Sequence, residues 1–167
     1  MTEGSEIGEM ASCVVREAVE DDLDAVSVLA ARLVRMHHEW DRERFLKAGP
    51  SVEAGYRRFL AGELRQPSSL VLVAVTPSGR VVGYAFGRLE PRNWEMLMDD
   101  SGVLHDVFVD DSARKGGVGA KLVLGFVERM RARGAQRVVL HTAAQNAAGQ
   151  ALFKKLGFRV TMYEMTL

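Results

Sequence analysis

The sequence is poor in cysteine: Cys13 is the single one in 167 residues. That excludes an internal disulfide and offers no framework for a structural metal. An excess of charge of either sign is also missing, with 22 basic side chains set against 22 acidic ones. A chain that broadly binds nucleic acid or an anionic membrane usually needs a basic face, so neither partner is expected. No stretch approaches the ~18 consecutive apolar residues of a membrane span. The opening Met1 to Ser12 is too acidic and polar for a signal peptide, so a cytoplasmic protein is expected. Internal repeats and low-complexity segments are lacking too. What remains is a chain long enough to bury roughly 70% of its unfolded surface as one domain. The expectation is a flexible tail over residues 1–12 and a single domain over 13–167.

Along that domain, Cys13-Val14-Val15-Arg16-Glu17-Ala18 predicts a short strand. Asp21 and Asp22 are placed to cap a helix whose apolar positions, Leu23, Val26, Leu29, Ala30, Leu33, Val34 and Met36, recur at helical spacing. Pro50-Ser51 opens a second helix that runs to about Leu64. From Ser69 the pattern changes to a hairpin, Leu70–Val75 and Val81–Gly87 around Pro77-Ser78-Gly79. A loop from Glu90 to Gly102 holds Trp94, Glu95, Asp99 and Asp100. Strand 103–109, a helix ending before the breaker Gly134, and strand 136–142 follow. A last helix, Ala147 to Leu156, is closed by Gly157, and Arg159 to Thr166 predicts a final strand. The crossover between 103–109 and 136–142 makes those two strands parallel, within an otherwise antiparallel mixed sheet.

The segment Arg114-Lys115-Gly116-Gly117-Val118-Gly119 joins the apolar strand Val103–Val109 to the helix that begins at Ala120. A strand that feeds a glycine-rich turn opening a helix aims several backbone N–H groups at one anion, with the helix dipole adding to them. It is not a Walker A loop, because Gly119-Ala120-Lys121-Leu122 lacks the Gly-Lys-Ser/Thr ending. It is not a dinucleotide fingerprint either, because Leu122 stands where the third glycine is needed. A tight turn without a ligand is the remaining bland alternative.

Arg114-x-x-Gly117-x-Gly119 resembles the acetyl-CoA signature of the GNAT superfamily of N-acetyltransferases. Asn146 followed by Phe153-Lys154-Lys155-Leu156-Gly157-Phe158 resembles its second landmark, at family spacing and over residues 13 to 167. The resemblance implies an α+β fold, a three-layer α/β/α sandwich on a mixed, centrally splayed sheet. It implies acetyl-CoA as co-substrate and no metal. Backbone N–H groups from Lys115 through Gly116, Gly117, Val118 and Gly119 to Ala120 would hold the pyrophosphate beside Arg114. The pantetheine arm would lie along Val107, Phe108 and Val109 and meet Asn146 and Phe153.

Family chemistry transfers acetyl directly to an amine. The amine must be neutral, whereas an alkylamine of pKa about 10.4 is mostly protonated at pH 7. The carbonyl oxygen needs a preorganised donor, and the backbone N–H of Val107 is so placed by position. His105 occupies a strand position where many relatives carry Glu, and imidazole, at about 6.5, suits a base at neutral pH. The competing reading of His105 is a buried strand residue bonded to its neighbours. Asp106, a carboxylate within an apolar strand, must be paired or hydrogen-bonded, which favours a structural role. Glu95 is a third candidate base. The family's usual general acid, a Tyr, is replaced here by Phe153. The thiolate, of pKa about 8.5, then leaves unassisted, or Tyr84 or Tyr163 substitutes, or the protein binds acyl-CoA without efficient transfer. Gly149 and Asp111 stand where Ala and Pro are common, with no bearing on chemistry.

The acceptor is expected to be a primary amine of a small molecule or peptide. Two regions would meet it, His37 to Glu43 and the Trp94-Glu95 loop with Asp99 and Asp100. Acids beside aromatics suit a cation, although a charge run at 39–44 also reads as a solvated helix end. The His37-His38 pair has no metal-ligand spacing. One strand follows the last helix where many relatives have two, so a homodimer partner is expected to complete the sheet edge. The alternative to an enzyme is a non-catalytic acyl-CoA-binding or sensing module.

Overall fold

A computed structural model describes residues 12–167, so the expected tail lies almost wholly outside the described residues. The chain runs β1 (Val14–Glu17), α1 (Leu23–Trp40), α2 (Val52–Glu63), β2 (Ser69–Val75), β3 (Val81–Glu90) and β4 (Ser101–Val109). It continues with α3 (Val118–Ala132), β5 (Val138–Leu140) and α4 (Ala147–Lys155). Short 3-10 turns precede α1 and α3. The five strands lie in the order β1-β2-β3-β4-β5, antiparallel except for the parallel β4–β5 pair.

β2 is apolar at every interior position because helices cover both faces of the sheet. Leu70, Leu72 and Ala74 join Val82, Ala85 and Leu104 beneath α3 and α4, where Leu122, Val123, Phe126 and Phe153 pack. Val71 and Val73 point to the other face, with Tyr84, Phe86 and Phe108, beneath Leu23, Val26, Leu29, Ala30 and Leu60. The period of two along β2 thus divides one sheet between two cores, and register shifts carry that division through β3 and β4.

Two irregularities in β4 shape everything that follows. Phe86 pairs with Asp106 and Gly87 with Leu104, which leaves His105 as the extra residue of a β-bulge. The bulge moves Leu104 and Asp106, two residues apart, onto opposite faces. The ladder to β5 stops at the same place, at Leu104 and Leu140. A bulge bends its strand and strengthens the local twist, so β4 leaves β5 just beyond the last pair. Gly87 permits this: a Cβ there would sit 2.2 Å from the Val103 carbonyl oxygen and 2.5 Å from the Phe126 ring.

Three sequence expectations change. Arg159 to Thr166 forms no strand; Val160, Met162, Tyr163 and Met165 are exposed. Its β-forming residues find no ladder, since β5 is only three residues long and the chain continues past it without pairing. Strand 136–142 contracts to Val138–Leu140, and its 141–142 end is lost because β4 departs beyond Leu104. Asp22 does not cap α1 with its side chain; its carboxylate takes Arg16 at 2.6 and 2.9 Å and the Val19 N–H at 2.8 Å instead. Gly157, at φ +92°, closes α4 as expected.

Candidate active site

The divergence of β4 from β5 opens a seam whose chemistry follows from strand parity. The Asp110 N–H donates to the Val82 carbonyl at 2.8 Å. In an antiparallel pair this orientation alternates, so Asp106 and Phe108 also turn their backbone groups toward β3. Val107 and Val109 therefore aim their N–H and C=O groups the other way, into the seam. There Arg114 Nε already donates to the Val109 carbonyl at 3.2 Å.

The seam leads directly to the glycine-rich turn. Lys115 adopts φ +65° and Gly117 φ +79°, a left-handed pair that reverses the chain and makes Gly117 the N-cap of α3. Lys115 carries that conformation against its side chain's preference. Lys121 N–H is the first to reach a helical carbonyl, that of Gly117 at 3.0 Å. The N–H groups of Val118, Gly119 and Ala120 precede any such carbonyl, and the positive end of the α3 dipole lies with them. Gly119 lets α4 approach, since a Cβ there would meet Leu152 at 3.2 Å.

The turn is held from behind by ions. Arg32 donates to Asp110 and to Asp111, both at 2.6 Å, and its guanidinium covers the Phe108 ring at 5.3 Å. Arg114 pairs with Asp111 at 2.7 Å and lies over the same ring at 5.5 Å. Bonds from Ser112 and then from Arg32 pull the Asp110 carboxyl down to about 2. Arg114 is thus engaged in fixing the turn's geometry.

At the other end of the seam lies a cleft of about 240 Å³. Its walls come from the end of α1, the following loop, α2, the bulge of β4 and the residues after β5. His105 stacks on Phe86, with ring centroids 5.6 Å apart, and its Nε2 lies 2.6 Å from Glu90 Oε1. A carboxylate accepts only, so Nε2 carries the proton and Nδ1 is the free lone pair of the neutral ring. His105 is therefore not the buried strand residue that was the competing expectation; it is exposed at the bulge. Asp106 Oδ2 accepts from the Tyr56 hydroxyl at 2.9 Å and from the Tyr84 hydroxyl at 3.1 Å. Burial pushes the Asp106 carboxyl up, and the two tyrosine bonds oppose that shift. Burial and the neighbouring Asp106 raise both phenols as well.

Asn146 and Phe153 both line the cleft. Asn146 Oδ1 accepts the Gly149 N–H at 3.0 Å, and its Nδ2 donates to Thr142 Oγ1 at 3.2 Å. The second Nδ2 hydrogen remains. Phe153 is buried edge-on to Phe158, with centroids 6.1 Å apart. Of the substitute acids, Tyr84 is fully buried against Asp106 and Tyr163 is 85% exposed on the terminal segment.

The Trp94-Glu95 loop does not join this cleft. It borders a separate groove with Arg88 and Arg92, and Asp99 is taken up by Arg92 at 2.8 Å. Sequence reasoning missed Glu90, Tyr56 and Arg44 at the site, whereas His37, from the region expected to meet the acceptor, lines it. His37 Nδ1 donates to the Leu33 carbonyl at 2.9 Å, so its Nε2 is the free acceptor. The charge run at 39–44 is only partly a solvated helix end, since Arg44 reaches the cleft. Among the described residues no cluster of three His, Cys, Asp or Glu side chains is arranged to hold a metal. No described helix is long and apolar enough to cross a membrane.

A mixed sheet that parts beside a bulge, with a glycine-rich turn opening a helix at one end of the seam and a histidine-lined cleft at the other, defines an α+β sandwich. The chain belongs to the acetyltransferase (GNAT) family, whose model matches residues 33–158. It is 34% identical over 87 residues to a mycothiol acetyltransferase of Saccharomonospora viridis, a match covering 52% of this chain and 28% of that protein. It is also 34% identical over 93 residues to an L-methionine sulfoximine/L-methionine sulfone acetyltransferase of Pseudomonas paraeruginosa, covering 54% and 51% of the two chains. The chain thus spans about half or less of the length of these relatives. Among solved structures it resembles the aminoglycoside N-acetyltransferase AAC(6')-Iy in complex with CoA. That match has a TM-score of 0.76 at 17% identity and covers 93% of each chain, a likeness of fold.

Proposed function

We propose that this protein is an acetyl-CoA-dependent N-acetyltransferase that acts by direct attack of a primary amine. The observation that carries this reading is the continuous seam from His105, past the outward backbone of Val107 and Val109, to the N-terminus of α3. An activated acyl thioester needs such a track: anion binding for the pyrophosphate, strand-like pairing for the pantetheine, and an open end for the acceptor. The residues fit it. N–H groups between Lys115 and Ala120 hold the pyrophosphate, with Arg114 bracing the turn. Val107, Phe108 and Val109 line the arm, and Asn146 and Phe153 close its far side.

At the cleft, His105 Nδ1 takes the proton of the attacking amine while Glu90 steadies Nε2–H. The Val107 N–H meets the charge that develops on the carbonyl oxygen. A carbon–nitrogen bond forms, the carbon–sulfur bond breaks, and the thiolate leaves without a tyrosine, since Phe153 has no proton to give. The proton on His105 passes to solvent or to the departing sulfur. The protein works in the cytoplasm on a small-molecule or peptide amine. A homodimer pairs the unladdered 159–166 segment with a second copy; a monomeric mass by light scattering removes that part.

Calorimetric titration with acetyl-CoA, followed by thiol release over an amine panel, tests the whole. Binding with turnover supports it. Binding without turnover on any amine favours a sensing module, and no binding sinks both.

A further inference from the structure

The cleft's charges differ from those a polycationic acceptor would need. Its lining holds one carboxylate, Asp106, against the guanidinium of Arg44 and the imidazoles of His37, His105 and His141. Asp106 bonds both tyrosine hydroxyls through Oδ2, which leaves Oδ1 for an ammonium group. Arg44 stands in the same small space but faces a carboxylate already. Its Nε donates to one oxygen of Glu164, and its Nη2 donates to the other at 2.9 Å. Two parallel bonds from one guanidinium edge are the geometry by which arginine recognises a carboxylate or phosphate. The Glu164 carboxylate comes from the unladdered terminal segment, and both partners are largely exposed, at 43% and 62% for Arg44 and Glu164. An exposed pair of this kind is weak, so a ligand anion can take the place of Glu164.

We infer that the acceptor is a small amine that also carries an anionic group, a carboxylate or a phosphate, with its ammonium end at Asp106 and its anion on Arg44 in place of Glu164. The inference rests on the acetyltransferase reading above and narrows its acceptor. A cleft of about 240 Å³ suits such a metabolite. It lies below the usual range of about 300–1,000 Å³ for larger ligands.

The test measures kcat/KM by thiol release at saturating acetyl-CoA. The acceptors are amino acids and their carboxamides, an amino-sugar phosphate beside its unphosphorylated sugar, and an aminoglycoside. The expected result is a preference of about tenfold or more for the anionic member of at least one pair, as a charge-assisted contact supplies. The pair that shows it identifies carboxylate or phosphate. Arg44→Gln collapses that ratio toward one through KM, Arg44→Lys restores part of it, and Glu164→Gln lowers KM for the anionic acceptor. Turnover with equal use of both members of every pair, or preference for the aminoglycoside, overturns the inference and leaves the acetyltransferase reading standing. Acetyl-CoA binding with no turnover on any amine overturns both.

Discussion

Glu90 Oε1 accepts the Nε2–H of His105 at 2.6 Å, across fifteen residues of sequence and one register shift. The contact fixes which ring nitrogen is free, and it exists only because the bulge turns His105 toward Phe86 and the end of β3. A positioned general base contributes about 10²–10⁴-fold. His105→Ala is therefore expected to lower kcat by that range, with little change in KM for acetyl-CoA. Glu90→Gln leaves the imidazole but loosens its orientation, so its kcat falls less. Unchanged turnover in His105→Ala would remove the histidine from the chemistry.

The contrast between these residues and the turn shows what a sequence carries. Arg114 to Gly119 is local: six consecutive residues define a reversal and a helix start. Helix α1 is equally legible, because Leu23 to Val34 repeat at 3.6 residues and all bury. Asp106 announced that it needed partners, but Tyr56 and Tyr84 lie fifty and twenty-two residues away, and only packing supplies them. Glu90 follows the apolar run of the hairpin and so reads as the start of a loop, whereas β3 continues through it. Arg159 to Thr166 carries strand propensity without forming a strand, because that propensity measures fitness for a half-buried pleated surface, and no neighbouring ladder exists there. Arg44 looked like one charge in a solvated run, and its position at the cleft depends on how the chain turns after Trp40.

Gly87 is the steric condition for the bulge. Its would-be Cβ meets backbone, the Val103 carbonyl, as well as the Phe126 ring, so relief requires movement of the strand itself. Gly87→Ala is expected to destabilise the fold by about 1–3 kcal/mol, the usual penalty of overpacking. Urea unfolding with an unchanged slope and a lower midpoint is the signature. A wild-type midpoint would mean that β3 and Phe126 yield freely.

Asp106 separates charge from hydrogen bonding. Asp106→Ala strands the two tyrosine hydroxyls and is expected to cost about 1–3 kcal/mol. Asp106→Asn keeps an acceptor oxygen and removes a carboxylate whose charge burial disfavours. The folded carboxyl is raised, so its contribution to stability is largest at low pH and fades as pH rises through the folded value. The asparagine variant should therefore match or exceed wild-type stability at neutral pH, while losing affinity for an ammonium acceptor. Equal destabilisation by both substitutions would show that the charge itself holds the tyrosines.

Asp110 responds to pH with the opposite sign. Its folded value of about 2 lies below the ordinary carboxyl value of about 3.9, so its bonds to Ser112 and Arg32 stabilise the protein above that ordinary value. That contribution is lost as pH falls from about 4 toward 2, and Asp22, also lowered by its partner Arg16, adds a loss in the same direction. Thermal midpoints measured from pH 5 down to pH 2 should fall for the wild type, and fall less steeply for Asp110→Asn, which starts lower and has one fewer proton to bind. Because Asp110 also anchors Arg32 behind the turn, that variant should weaken acetyl-CoA binding at pH 7. An acid slope identical to the wild type's would place the titration that limits stability elsewhere.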